Sequence, residues 1–155
     1  MTTITPYLWF DNDAEEAIDF YVALFPDAKI GAVSRYPDEM ENAGALMNAE
    51  FQLAGQNFIA LNAGPQFSFN EAVSFLVSVE TQDEIDRYWN ALTSDGGEES
   101  QCGWLKDRWG LSWQIIPTAL TRLLTSSDPE VAGRVMEAML QMRKIVIADL
   151  EAAAG

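Results

Sequence analysis

Any chemistry in this sequence must come from amides, hydroxyls, carboxylates, amines, guanidinium groups or one thiol, because the chain has no histidine and a single cysteine. Histidine is the commonest metal ligand and the usual general base near neutral pH, so its absence removes the simplest route to both. The densest stretch is Cys102-Gly-Trp-Leu-Lys-Asp-Arg-Trp-Gly-Leu-Ser-Trp-Gln-Ile-Ile-Pro117, which carries three of the five tryptophans. Trp104 and Lys106, then Leu111, Trp113 and Ile115 against Ser112 and Gln114, alternate as two strands joined by a turn at Asp107 to Gly110. Gln114 is an amide in otherwise apolar surroundings, where it must find partners or face a cavity, and it is the first candidate for holding a ligand.

The other reactive groups are weaker candidates. Cys102 is a nucleophile only if a cation such as Lys106 or Arg108 stabilises its thiolate; with no imidazole to act as base, a small partly buried residue is the simpler expectation. Glu50, Glu71 and Asp107 act as acids or bases only if the fold buries them, and are otherwise solvated charges or caps. Tyr7, Trp9, Trp104, Trp109 and Trp113 could line a cleft, but strand alternation sends about half of any such set into the helix-facing core.

The elements that position these groups follow in chain order. Ile4 to Phe10 reads as a strand with Pro6 near its start or on an edge. Asp13 with Glu16 offers an N-cap, and Ala14, Ala17, Ile18, Tyr21 and Leu24 recur at helical spacing as far as Pro26. Lys29 to Tyr36 is a strand, and Pro37 to Gly44 an acidic loop expected to be mobile. Ala45 to Leu53 and Gln56 to Asn62 form a hairpin about Ala54-Gly55. After a linker at Gln66 to Asn70, Ala72 to Val79 is a strand. Thr81 and Glu84 make a second capping box, ahead of a helix stripe at Ile85, Tyr88, Trp89 and Leu92 that Gly96-Gly97 ends.

The pattern therefore repeats. At an offset of 68, Leu8 meets Leu76, Glu16 meets Glu84, Ala23 meets Ala91, Leu24 meets Leu92 and Asp27 meets Asp95. The expected fold is α+β, a single domain of two tandem β-α-β-β-β modules, 1–63 and 70–117. Their mostly antiparallel sheet curls around a cleft, with one strand of the second module weak near Glu98 to Gln101. A helical extension, 118–155, has Val131, Val135, Met139 and Met142 on one face and packs on the domain or on a partner chain.

Composition bounds the function. The net charge is −15, from 24 acidic against 9 basic residues, and such a surface repels phosphate backbones and anionic lipid. No nucleic-acid partner and no membrane are expected, since no apolar run approaches the roughly 20 residues of a membrane span. The opening Met-Thr-Thr-Ile-Thr-Pro has neither a basic nor an apolar region of a secretory signal, so a cytoplasmic location is expected. A lone cysteine excludes a disulfide within one chain.

With Phe69-Asn-Glu-Ala-Val-Ser-Phe75, Gly96-Gly97, Cys102-Gly-Trp-Leu-Lys-Asp107 and Gly110-Leu-Ser-Trp-Gln-Ile-Ile-Pro117, the whole chain resembles the vicinal oxygen chelate superfamily of glyoxalases, bleomycin-resistance proteins and extradiol dioxygenases. Within it the motifs resemble the PhnB-like branch, often labelled demethylubiquinone methyltransferase. Methyl transfer from a nucleotide-like donor needs a Gly-rich strand-to-helix turn, whereas Gly96-Gly97 follows a helix and precedes a strand.

The resemblance implies a cleft that, in metal-using members, holds a divalent ion at the first and last strands of each module. Carried onto this chain, those positions are Pro6, Ile59 or Ala60, Ser74 and Gln114. None is a carboxylate or imidazole, so no metal and no other cofactor is expected. Ser74 and Gln114 become a neutral pair able to orient a ligand, with Trp104, Trp113 and Tyr7 as aromatic neighbours, or else they bond each other and fix strand registry. The leading expectation is a small-molecule-binding protein that forms a homodimer. A lyase or isomerase-type enzyme using a carboxylate or a ligand-supplied metal is one alternative, and a structural or regulatory homodimer the other.

Overall fold

The computed structural model describes all 155 residues, which divide into two compact units, Met1–Phe69 and Asn70–Gly155. In the first, β1 (Tyr7–Phe10) starts after Pro6, whose carbonyl accepts from the Ile59 N–H at 3.0 Å although its own nitrogen has nothing to donate. There follow α1 (Ala14–Leu24), β2 (Lys29–Arg35), β3 (Leu46–Leu53) and β4 (Gln56–Asn62). The sheet order is β1-β4-β3-β2, parallel at β1-β4 and antiparallel elsewhere.

The second unit repeats this plan with β5 (Ser74–Val79), α2 (Gln82–Leu92), β6 (Glu98–Glu99), β7 (Trp104–Lys106) and β8 (Ser112–Pro117). Its order is β5-β8-β7-β6, again with the parallel pair at β5-β8, and neither four-stranded sheet is closed. The weak strand near Glu98 is β6, two residues long.

Apolar stripes explain the packing. In the first unit Ala14, Ala17, Ile18, Tyr21 and Leu24 of α1 are buried, as are Leu8, Phe10, Ala49, Phe51, Phe58 and Ala60 of the sheet. Tyr21 stacks on Phe51, and Phe51 on Phe58, with centroids 6.4 and 5.3 Å apart. In the second, Ile85, Tyr88, Trp89 and Leu92 of α2 are buried together with Leu105, Trp113 and Ile115. The opposite face of each sheet carries no helix of its own module, and half-buried or exposed side chains alternate along it, apart from the buried Ser112.

The two helices support the repeat: both span eleven residues at the offset of 68, and Asp27 and Asp95 both adopt positive φ just beyond them, at 47° and 53°. The Leu8–Leu76 identity does not reflect equivalence, because Leu8 is buried under α1 whereas Leu76 is 57% exposed. Two residues separate Phe10 from the N-cap Asp13, but only Glu80 separates Val79 from Thr81. This one-residue difference puts Leu76 on the face that Tyr7 occupies in the first module.

The caps also differ. Thr81 and Glu84 form the expected reciprocal box, with the Glu84 carboxylate accepting from the Glu80 and Thr81 N–H groups at 2.7 and 3.1 Å. Asp13 makes no side-chain cap bond; the buried amide of Asn62 takes over, its Oδ1 accepting from Ala14 N–H at 2.8 Å while its Nδ2 donates to the Leu46 carbonyl. The Pro37 to Gly44 segment contains two turn bonds, Met40 N–H to Pro37 O and Gly44 N–H to Tyr36 O.

After β8 come α3 (Thr118–Leu124), α4 (Pro129–Leu140) and α5 (Ile147–Ala154). Leu120, Val135, Ile145 and Leu150 are buried among them, so only Val135 of the four-residue face expected on α4 is a core residue. The extension docks on α2, where Gln82 Nε2 donates to Ile145 O at 3.0 Å, Gln82 Oε1 accepts from Ile147 N–H at 2.9 Å, and Lys144 pairs with Asp86 at 2.9 Å. It also holds the loop before β7: Cys102 and Gly103 N–H donate to the Met142 and Arg143 carbonyls. Gly103 is required here, since its φ is 84° and a Cβ would sit 2.8 Å from Ile116 Cδ1.

These caps make a prediction. Asn62→Ala should cost about 1 to 3 kcal/mol and Thr81→Ala about 1 kcal/mol in urea unfolding, while Asp13→Ala should stay within about 0.5 kcal/mol of the parent. The backbone N–H groups of Glu80 and Thr81 hold Glu84 below the usual carboxylate range. That stabilisation is full above the ordinary glutamate pKa of about 4.3 and is lost as the pH falls through the lowered value.

Candidate functional site

The β7-β8 hairpin is built on Asp107, which is 3% exposed. Its Oδ1 accepts from the Trp109 and Leu111 N–H groups, each at 3.0 Å, and its Oδ2 accepts from Trp113 Nε1 at 2.9 Å. A buried carboxylate so fully engaged is a structural anchor, not an acid or base in waiting. Trp113 is thereby held on the helix side, 3% exposed, with its ring 5.7 Å from that of Phe75. The expectation that Trp113 contacts a ligand is corrected: this indole belongs to the core.

Alternation then sends Ser112, Gln114 and Ile116 to the open face of the sheet. Register extends two rows across it. Leu76, Gln114 and Trp104 are aligned on β5, β8 and β7, and Ser74, Ser112, Lys106 and Glu98 on β5, β8, β7 and β6. Gln114 Nε2 donates to Ser74 Oγ at 2.9 Å, linking the two rows. That bond uses one donor of the amide and leaves its capacity as an acceptor, and its second N–H, for another molecule.

Beside this pair lies a hollow of about 150 Å³ lined by Glu71, Glu98, Glu99, Ser100, Trp104, Leu105, Lys106 and Ser112. Glu71 and Lys106 form an ion pair there. The Lys106 ammonium holds the Glu71 carboxyl below its usual range, and the Glu71 hydrogen bond pushes Lys106 up, so both are charged at neutral pH. Glu99 is engaged elsewhere, accepting from Trp89 Nε1 at 2.7 Å. Ser112 was not singled out from the sequence as a site residue; it stands in the polar phase of the β8 alternation, which is the signal that could have found it.

Tyr7, in the first unit, is on the open face of that sheet, 53% exposed, its hydroxyl accepting from Asn48 Nδ2 at 3.3 Å. Trp9 shares that face and donates through Nε1 to Gly64 O at 2.9 Å. A hollow of about 220 Å³ there is lined by Thr5, Lys29, Gly31, Glu50, Gln52, Asn57 and Ile59, together with Phe51 and Phe58. Glu50 is exposed, not a buried acid. Cys102 is half-buried in a turn at φ 57°, its N–H tied to Met142.

The metal positions implied by the resemblance do not fit a metal. Pro6 has no donor, Ile59 is the open-face residue and Ala60 is buried under α1, while Ser74 and Gln114 are neutral and bonded to each other. Nowhere do three cysteine, aspartate or glutamate side chains converge as an ion would require.

The tandem modules with these sheet orders are those of the vicinal oxygen chelate superfamily. Similar solved structures include the fosfomycin resistance protein FosX from Listeria monocytogenes, at 15% identity and TM-score 0.59 over 81% of this chain and 98% of that one. Protein PA1353 from Pseudomonas aeruginosa, at 21% identity and TM-score 0.63, covers 76% and 98%. At these identities the likeness speaks for the fold alone. A PhnB protein from Bacillus cereus is 33% identical, with TM-score 0.69 over 75% of this chain and 99% of that one. Residues 2–116 match the family described as 3-demethylubiquinone-9 3-methyltransferase, and the chain belongs to this PhnB-like family. No curated protein matches it.

Asp107→Ala should cost roughly 3 kcal/mol or more in urea unfolding, because it strands two backbone N–H groups and an indole N–H. Asp107→Asn should recover part of the loss. Equal stability of the parent and Asp107→Ala would show that the hairpin is held elsewhere.

Proposed function

We propose that the protein binds a small molecule on the open face of the second module, orienting it through neutral hydrogen bonds from Gln114 and Ser74, with Trp104 and Leu76 as apolar flanks. The carrying observation is the 2.9 Å bond from Gln114 Nε2 to Ser74 Oγ at positions where the superfamily resemblance implies metal ligands. A neutral amide and hydroxyl favour a ligand that is itself a hydrogen-bonding partner, and the reading needs no protein-held metal or other cofactor.

The family's name mentions methyl transfer, but the residues lend it no support. Both strand-to-helix connections, Asp11 to Asp13 and Glu80 to Thr81, lack the glycines with which a backbone approaches a nucleotide, and both are acidic. Self-association is the second part of the proposal. Met136 and Leu140, one turn apart on α4, are exposed, and a second copy would cover them. Light scattering should give twice the 17.2 kDa chain mass, reduced in Leu140→Asp.

The ligand test is a thermal-shift screen of metabolites with and without divalent ions, followed by affinity measurements on variants. Gln114→Leu should leave the unliganded melting temperature nearly unchanged and lose roughly 1 to 3 kcal/mol of binding. Unaltered binding in Gln114→Leu would make the amide a purely structural link to Ser74.

A further inference from the structure

Ser112 Oγ is the one buried side-chain polar atom without a hydrogen-bond partner, in a residue 1% exposed. A hydroxyl left so costs stability, which makes it an anomaly to be explained by what the site receives. It stands in the row Ser74, Ser112, Lys106, Glu98 and lines the 150 Å³ hollow beside Trp104. Its neighbour Ser74 is bonded to Gln114 Nε2 and makes no bond to Ser112.

The charges around it select a ligand class. Three carboxylates, Glu71, Glu98 and Glu99, line the hollow against one ammonium, Lys106. Lys106 is taken by Glu71, and Glu99 accepts from the Trp89 indole and lies 3.8 Å from Arg143. Glu98 makes no ion pair of its own and faces Lys106 across the β6-β7 register. An entering anion would have to displace Glu71 and then lie among carboxylates. A cation meets an attractive field. Activation of Ser112 as a nucleophile by Lys106 is excluded by the same pair, since an ammonium locked to Glu71 has no lone pair to take a proton.

We propose that this hollow is a subsite for the ammonium group of a small organic amine. Ser112 Oγ accepts a hydrogen bond from the ammonium, Glu98 supplies the counter-charge, and Trp104 packs on the alkyl carbons or the cation itself. At about 30 Å³ per water-sized group, the volume suits a ligand fragment of roughly five non-hydrogen atoms. The inference rests on the open face of the second module being the ligand face, and it adds the charge of the ligand to that reading.

The test uses n-butylammonium as the probe, with 1-butanol and propionate as neutral and anionic matches of the same number of non-hydrogen atoms, titrated into the full chain by calorimetry. The ammonium should bind and the other two should bind at least tenfold more weakly. Ser112→Ala should weaken ammonium binding about tenfold or more while raising the melting temperature or leaving it unchanged, because it removes an unsatisfied buried hydroxyl. That combination separates a binding role from a structural one. Glu98→Gln, at an exposed position, should weaken binding similarly. Equal affinity for the three probes, or unaltered ammonium affinity in Ser112→Ala, overturns the proposal. The Gln114→Leu measurement reads a different compound, returned by the metabolite screen, so either proposal can fail while the other stands.

Discussion

Everything on the open face of the second module depends on the carboxylate of Asp107. By binding two backbone N–H groups of its own turn and the indole of Trp113, it pins β8 to β7 in one register. A slip by one residue would exchange the faces, moving Gln114 into the core and Trp113 into solvent. The polar atoms that could hold a ligand are therefore placed by a charged group that never meets one. The cost of burying that charge is offset by charge-assisted bonds to groups that themselves need acceptors.

A second constraint comes from the C-terminal helices. They have a small apolar core of their own, but their polar contacts reach into the module: Gln82 grips the α4-α5 connection from both ends of its amide, and the carbonyls of Met142 and Arg143 receive the N–H groups of Cys102 and Gly103. The loop ahead of β7 is thus held by the tail, and β7 carries Trp104 and Lys106. The extension supports the site from behind, and Arg143 reaches Glu99 at the edge of the hollow at 3.8 Å.

Most of the fold was legible because its signals are local. The capping box at Thr81, the positive-φ turn at Ala54-Gly55 and the stripes of α1 and α2 each follow from a few adjacent residues, and the repeat follows from their recurrence. Less of the candidate site was legible. Alternation separates Trp113 from Gln114 but does not say which of the two faces the helix, and only the bond to Asp107 decides it. Asn62 as the cap of α1, 48 residues from Ala14, leaves no trace near the helix it serves, whereas Asp13 looks like a cap and is none. The isolation of the Ser112 hydroxyl is a property of its surroundings that no single residue type encodes.

The length of the link between strand and helix has a consequence for how two such modules diverge. One residue fewer between Val79 and α2 than between Phe10 and α1 reverses the strand relative to its helix, so that the sequence phase presenting Leu8 inward presents Leu76 outward. Gain or loss of a single codon in that connection re-deals every side chain of the strand at once, something point substitution would need many steps to achieve. In a duplicated architecture, indels at this joint are a route to a new surface chemistry that leaves the pairing order of the sheet untouched.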